Sequence, residues 1–277
     1  MLKRILVGLG GTNYTSSAIR HAVDIAQRHQ ATLTGVTVVD VARLERVGAV
    51  PLGGSHEAQL LREHRIKVAH KHVMDAVEEF VQACESAGVA YQVQQEEDNP
   101  FDLLTSEARY HDLMIFGLKS LFEYDIVSDP HDALVRLVSA GVRPILAIAP
   151  EYREVRRVLI AYSGSMESAK TMRRFVQLCL WSDVELRIVT FQHNAATSEA
   201  EKLVRDAAAY CRAHGFIAEE DFADGSAKTG LLPYATQWNA DLVVVGNSAR
   251  SLLLRRMFGD TAMHVIRTSD RPLFLSQ

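Results

Sequence analysis

The sequence predicts an α/β fold of two tandem doubly wound domains, each with a five-stranded parallel sheet. Three observations carry this. Short apolar runs alternate with longer segments of helical period, the pattern of β-α-β units. Runs such as Leu242 to Val245 lack polar alternation, which marks strands covered on both faces. The third observation is internal repetition. Asp112 to Gly117 (DLMIFG) is followed, 26 residues after Gly117, by Arg143-Pro144 and an apolar run. Asp241 to Gly246 (DLVVVG) is followed, 25 residues after Gly246, by Arg271-Pro272 and another. The openings match as well, Arg4 to Thr12 (RILVGLGGT) against Arg157 to Ser165 (RVLIAYSGS).

In the first copy, residues 1–150, strands are expected at 3–9, 31–39, 90–95, 112–117 and 143–149. Helices fall between them at 15–29, 58–87, 100–110 and 129–140. The run Ile5 to Leu9 is too short for a signal-peptide core and ends in Gly10-Gly11, so it reads as a strand. The irregular stretch 47–54 interrupts this copy and reads as a lid or a plain insertion. A charged segment, Glu151 to Arg156, follows Pro150 and is the expected linker. In the second copy, 151–277, strands are expected at 155–162, 184–192, 217–222, 241–246 and 271–276. Its helices are expected at 166–181, 196–214, 227–238 and 259–269.

The length suits two domains, each able to bury its own core. With 48% hydrophobic and 23% charged residues, the chain is neither disordered nor fibrous in composition. A net charge of −4 argues against a general nucleic-acid binder. The acidity lies in the first copy, which has 14 Lys+Arg against 19 Asp+Glu, whereas the second has 16 against 15. Cys84, Cys179 and Cys211 lie far apart, form no C-x-x-C pair and read as buried free thiols, as expected in a reducing cytoplasm. No apolar stretch approaches the roughly 20 residues that span a bilayer. A soluble cytoplasmic protein, with no membrane partner, is the expectation.

Ligands of an open parallel sheet sit beyond the carboxyl ends of its strands, where strand order reverses. In the second copy the fourth strand ends at Gly246 and runs through Asn247, Ser248, Ala249 and Arg250 to Arg255, Arg256, Gly259, Asp260 and Thr261, where a helix starts. Small residues at 246, 249 and 259 let backbone approach a ligand. The helix opening near Gly259 and Thr261 favours phosphate, and Arg250, Arg255 and Arg256 add positive charge.

With these residues the chain resembles the universal stress protein family in its tandem two-domain form, an adenine-nucleotide α-hydrolase-like fold. The family's nucleotide loop is G-x-x-G-x(9)-G-[ST]. This sequence has Gly246, then Ala249 at the second glycine position, Gly259 at the third, and Asp260 with Thr261 behind it. Ala249 adds a methyl group. Asp260 puts a carboxylate where the family offers a hydroxyl, and it repels phosphate unless Mg²⁺ bridges the two. The family's aspartate after the first strand is Gly10 in the first copy and Ser163 in the second. The resemblance implies that Ala161, Ser163 and the strand end near Val189 and Thr190 hold the adenosine part, with Val245 beside Gly246. It also implies pairing of the two copies through their last strands, an intramolecular version of the family's dimer. In the first copy, Pro130 stands at the third glycine position without an amide to give, and Glu123, Asp125 and Asp129 replace the arginines, so no polyphosphate is expected there.

Sharper alternatives fit less well. Gly8, Gly10 and Gly11 resemble half a dinucleotide fingerprint, but Asn13 takes the third glycine position and Asp40 lies 30 residues beyond Gly10 where roughly 20 is usual. His64, His70 and His72 do not stack at helical spacing and read as a solvated face. Ser163-Gly164-Ser165 is not a nucleophile elbow. Trp181 and Trp238 read as core or interface packing. The leading expectation is a stress-response protein that binds adenine nucleotide, ATP with or without Mg²⁺, in its second domain and acts on a protein partner not identifiable from the sequence. Occupancy is expected to order the loop 247–260 and alter a partner-binding surface. With no general base, nucleophile or metal set in view, slow ATP hydrolysis is the most catalysis expected. The alternatives are a structural or interaction protein with both sites degenerate, and an α-hydrolase-like enzyme acting between α- and β-phosphates. A homodimer beyond the internal pseudo-dimer stays open.

Overall fold

The computed structural model describes residues 2–38, 55–96, 100–118, 134, 137, 142, 144–192, 198–246 and 260–276. Within these, the strands are β1 (Arg4–Gly8), β2 (Thr32–Val38), β3 (Tyr91–Glu96), β4 (Leu113–Gly117), β5 (Ile145–Ile148), β6 (Arg157–Ala161), β7 (Glu185–Gln192), β8 (Ile217–Asp224), β9 (Leu242–Gly246) and β10 (Leu273–Ser276). The helices are α1 (Thr15–His29), α2 (Ser55–Ala87), α3 (Pro100–Glu107), α4 (Met166–Leu178), α5 (Ser198–Ala213), α6 (Ala227–Gln237) and α7 (Asp260–Thr268), with a 3₁₀ turn at Ala108–Tyr110.

All these strands join one continuous sheet, ordered β3-β2-β1-β4-β5-β10-β9-β6-β7-β8. Pairing within β1–β5 and within β6–β10 is parallel. At the centre β5 and β10 pair antiparallel, with Phe274 opposite Leu146 and Leu275 opposite Ile145. The last strand of one half thus pairs with the last strand of the other. Helices α1, α4, α5 and the second part of α2 (Ala76, Phe80, Cys84) cover one face; α3, α6, α7 and the middle of α2 (Ala69, Val73) pack in the other layer, and each apolar layer contains residues from both halves.

The repeated aspartates have a structural cause. Asp112 Oδ2 accepts the N–H groups of Lys3 and Arg4 at 2.8 and 3.0 Å. Asp241 Oδ2 accepts those of Arg156 and Arg157 at 2.9 and 2.8 Å. Each carboxylate satisfies backbone donors where the adjacent strand begins. Arg271 of the second Arg-Pro pair is buried and donates to Ala240 O at 3.1 Å and Thr236 Oγ1 at 2.9 Å, tying the end of α6 to the start of β10.

Element ends differ from expectation in a few places. Helix α2 begins at Ser55 rather than 58, and a 3₁₀ turn finishes the segment expected as helix to 110. Helix α4 stops at Leu178 instead of 181, because Cys179 turns left-handed (φ 47°) with its N–H on Phe175 O. Strand β8 runs on to Asp224, kept extended by pairing with β7 as far as Gln192. The stretch 47–54 and most of the helix expected at 129–140 lie outside the described residues.

The connection from β5 to β6 packs on α1. The Tyr152 ring lies 4.6 Å from the His21 ring, and the Arg20 guanidinium lies over it at 3.9 Å. All three cysteines are free; Cys84 and Cys211 are buried and Cys179 half-buried. Burial pushes the Cys84 and Cys211 thiols up to about 11 and about 12, so they stay protonated at neutral pH. Among the described residues, no helix is long and apolar enough to cross a membrane.

Candidate functional site: a cleft at the ends of β6, β7 and β9

Strand β6 lies between β9 and β7, so the connections leaving β6 and β9 depart to opposite faces of the sheet. Such a switch point leaves a crevice at the strand ends. A cleft of about 90 Å³ lies there. Its floor is apolar: Ala161 is in register with Val189 on one side and Val245 on the other. Phe191 and Ala227 form a wall. Gly230 of α6 makes room for the Phe191 ring, since a Cβ there would come within 2.6 Å of Phe191 Cε1. Tyr234 meets that ring edge-on at 6.1 Å. Tyr234 donates its hydroxyl to Asp221 Oδ2, and burial first, then this bond, pushes its pKa up to about 12.

The polar rim comes from two helix starts. Ser165 caps α4 in extended conformation, its Oγ accepting from Ser168 N–H at 3.2 Å. The Ser163 hydroxyl lies 3.0 Å from that of Ser165 and 3.3 Å from that of Ser168. Ser163, Ser168 and Thr261 all border the cleft. Thr261 stands in the first turn of α7, so the positive ends of both helix dipoles flank the same opening.

The structure brings together Ala161, Ser163, Val189, Val245, Gly246 and Thr261 from the expected set. It does not bring the Thr190 side chain there. Strand alternation turns Thr190 to the other face, where its hydroxyl donates to Tyr162 O at 2.7 Å. The same alternation is the signal that finds Phe191, two residues after Val189. Tyr162, Ser168 and Ala227, outside the expected set, also line the cleft; the S-x-x-S spacing from Ser165 marks Ser168 as part of a helix cap. Asp260 is the exposed first residue of α7. Gly246 has a second reason to lack a side chain: a Cβ would come within 3.0 Å of Ser168 Cα and 3.2 Å of Glu167 O, so the backbone of α4 fills that space. Ala249, Arg250, Arg255, Arg256 and Gly259 lie outside the described residues, as do Asp40, Glu123, Asp125, Asp129 and Pro130.

In the first half the glycine turn is explained by packing. Gly11 is left-handed (φ +65°), and a Cβ on it would sit 2.8 Å from His72 Cβ and 3.0 Å from the His72 backbone. Close passage of α2 therefore requires glycine. His64 and His70 are exposed on α2. Among the described residues, no group of three or more His, Cys, Asp or Glu side chains is arranged to hold a metal ion. A larger hollow of about 420 Å³, bordered by Gln27, Gln30, Gly88 and Ala90, lies at the opposite ends of the strands. Among the described residues its lining is neutral, with Gln27, Gln30 and Thr32 as the polar side chains.

This strand order, with its switch-point cleft, defines a class. The universal stress protein family matches residues 1–120 and 154–276, and the chain belongs to that family. Universal stress protein Slr1230 of Synechocystis sp. is 22% identical over 290 residues, covering 98% of this chain and 99% of that protein. Among solved structures, a universal stress protein from Archaeoglobus fulgidus aligns at TM-score 0.66 and 15% identity, covering 99% of this chain and 96% of its own. A Pseudomonas aeruginosa protein of unknown function, PA1789, aligns at TM-score 0.62 and 17% identity, covering 99% and 92%. These two likenesses establish the shared fold.

Proposed function

We propose that this chain is a stress-response protein of two units, 1–150 and 151–277, and that the second unit binds an adenine nucleotide, ATP in the first instance. The observation that carries the reading is the cleft itself: a flat apolar floor of Ala161, Val189 and Val245 suits a base, and two helix N-termini at its rim suit the anionic end. Ser163 offers a neutral hydroxyl to a ribose. The loop residues Ala249, Arg250, Gly259 and Asp260 follow in sequence as the phosphate-binding part, with Mg²⁺ offsetting the Asp260 charge. The bound form would regulate a partner protein in a cytoplasm reducing enough for the three free thiols. Calorimetric titration of nucleotide-stripped protein with Mg-ATP tests this beside a Gly259→Pro variant. One equivalent bound by the parent and lost in the variant is the expected result. No heat from a folded parent protein overturns it.

One observation favours a second reading, an interaction protein that binds no nucleotide. The cleft's room of about 90 Å³ is small beside the ~300 Å³ or more of ordinary ligand sites, and its described lining holds no ionic side chain. The same titration separates the two.

A further inference from the structure

We propose that Phe116 closes, from inside the protein, the first-half counterpart of the cleft, and so sets the number of base-binding sites at one. The inference rests on the reading of the second-half cleft given above.

Strands β1, β2 and β4 end as β6, β7 and β9 do. Gly8 pairs with Val36, and the β1–β4 register reaches Val7 opposite Ile115, so Gly8 comes beside Phe116. In the second half Ala161 has Val189 and Val245 at these places. Two of the three floor positions therefore differ: a glycine and a phenylalanine stand for an alanine and a valine. The difference is spatially coupled. A Cβ on Gly8 would lie 2.7 Å from Phe116 Cδ1 and 3.2 Å from Cε1, so the ring rests on the bare end of β1. That is the space which Ala161 borders, open, in the second half. Phe116 is fully buried and shares its apolar layer with Leu6, Val36 and Leu104, and with Tyr14, Ala69 and Val73, which bring the turn after β1 and helix α2 into that layer. A planar ring already occupies the slot that a base would take, and a close-packed interior leaves no room for a second.

The two pairs can be exchanged. Gly8→Ala with Phe116→Val gives the first half the second half's floor, while Ala161→Gly with Val245→Phe does the reverse. Each exchange offsets a loss of volume with a gain, and thermal unfolding checks that each protein folds. Equilibrium dialysis with radiolabelled adenosine, which needs no phosphate loop, then counts sites. The expected counts are one for the parent, two for the first exchange, none for the second, and one for the protein carrying both. Unchanged binding after Ala161→Gly with Val245→Phe overturns the proposal, because a phenyl ring at this position would then close nothing. So does a parent count of one that does not rise in the first exchange. A parent that binds no adenosine, with one site gained on the first exchange, keeps the role of Phe116 and removes the second-half reading. No binding by any of the proteins removes both.

Discussion

The indole of Trp181 donates its Nε1–H to Asp24 Oδ2 at 3.1 Å, joining the segment after α4 to helix α1 of the other half. Asp24 also accepts from Arg28 Nε at 3.0 Å, and Arg28 reaches on to Asp183 Oδ1 at 3.2 Å. His29 Nε2 lies 3.2 Å from Leu180 O beside them. These contacts fasten the halves side by side on one face of the sheet, away from the strand ends that form the cleft.

Trp181 is buried, so phenylalanine loses both the bond to Asp24 and the packing of the five-membered ring, which leaves a cavity. Trp181→Phe is expected to lower unfolding stability by about 2 kcal/mol or more in urea titration. Asp183→Ala removes only an exposed ion-pair partner and is expected to cost less than ~0.5 kcal/mol. Equal losses from the two would refute the ranking.

His21 makes stability depend on pH. Burial, opposed by Asp24 and reinforced by Arg20, lowers its pKa to about 4, and its Nε2 has no hydrogen-bond partner among the described residues. The unfolded chain takes up the proton near the ordinary value of about 6.5. The stability from neutral His21 is therefore complete above that pH and is lost as pH falls from about 6.5 towards 4, by about 3 kcal/mol in all. Burial lowers the His111 pKa too, with the same sign. Urea titrations of the parent and His21→Leu at pH 7 and pH 4.5 isolate the His21 part. The parent should lose more than the variant, and parallel losses would dismiss His21 as the cause.

Most of the sheet was legible because buried parallel strands are unbroken apolar runs, and repetition marked them twice. Helix ends were less so. Cys179 ends α4 in the left-handed region without a glycine to announce it, so the helical period reads on to Trp181. The alternation that selects Val189 also excludes Thr190 and selects Phe191, a rule of local geometry that the sequence carries in full. The coupling of Gly8 to Phe116 was not legible, because both residues read as ordinary strand core and only the register sets them together.

That coupling predicts a non-additive pair. Gly8→Ala alone drives a Cβ into the Phe116 ring and is expected to cost about 1–3 kcal/mol by overpacking. In a Phe116→Val background the same change should cost far less, leaving a coupling of at least ~1 kcal/mol in a double-mutant cycle. Additive costs in thermal or urea unfolding would mean that the ring does not rest on Gly8.

Ser165 links stability to the cleft. Its Oγ caps α4, so Ser165→Ala is expected to cost about 1 kcal/mol. Ser163 and Ser168 both lie within 3.3 Å of that hydroxyl, so adenosine affinity should fall as well. Calorimetry beside urea unfolding checks both, and a stability loss with unaltered adenosine binding would detach the serine cluster from the ligand.

The antiparallel join of β5 to β10 changes what kind of event assembly is. An open strand edge takes its partner from solution, at a rate and extent set by concentration. Here the partner edge arrives on the same molecule, held by residues 149–156, so dilution does not part the two. A permanent neighbour need not bind ligand itself to remain useful, since its last strand completes the sheet in any case. The first half can thus specialise as a scaffold while the second keeps an opening, an asymmetry that identical subunits cannot encode.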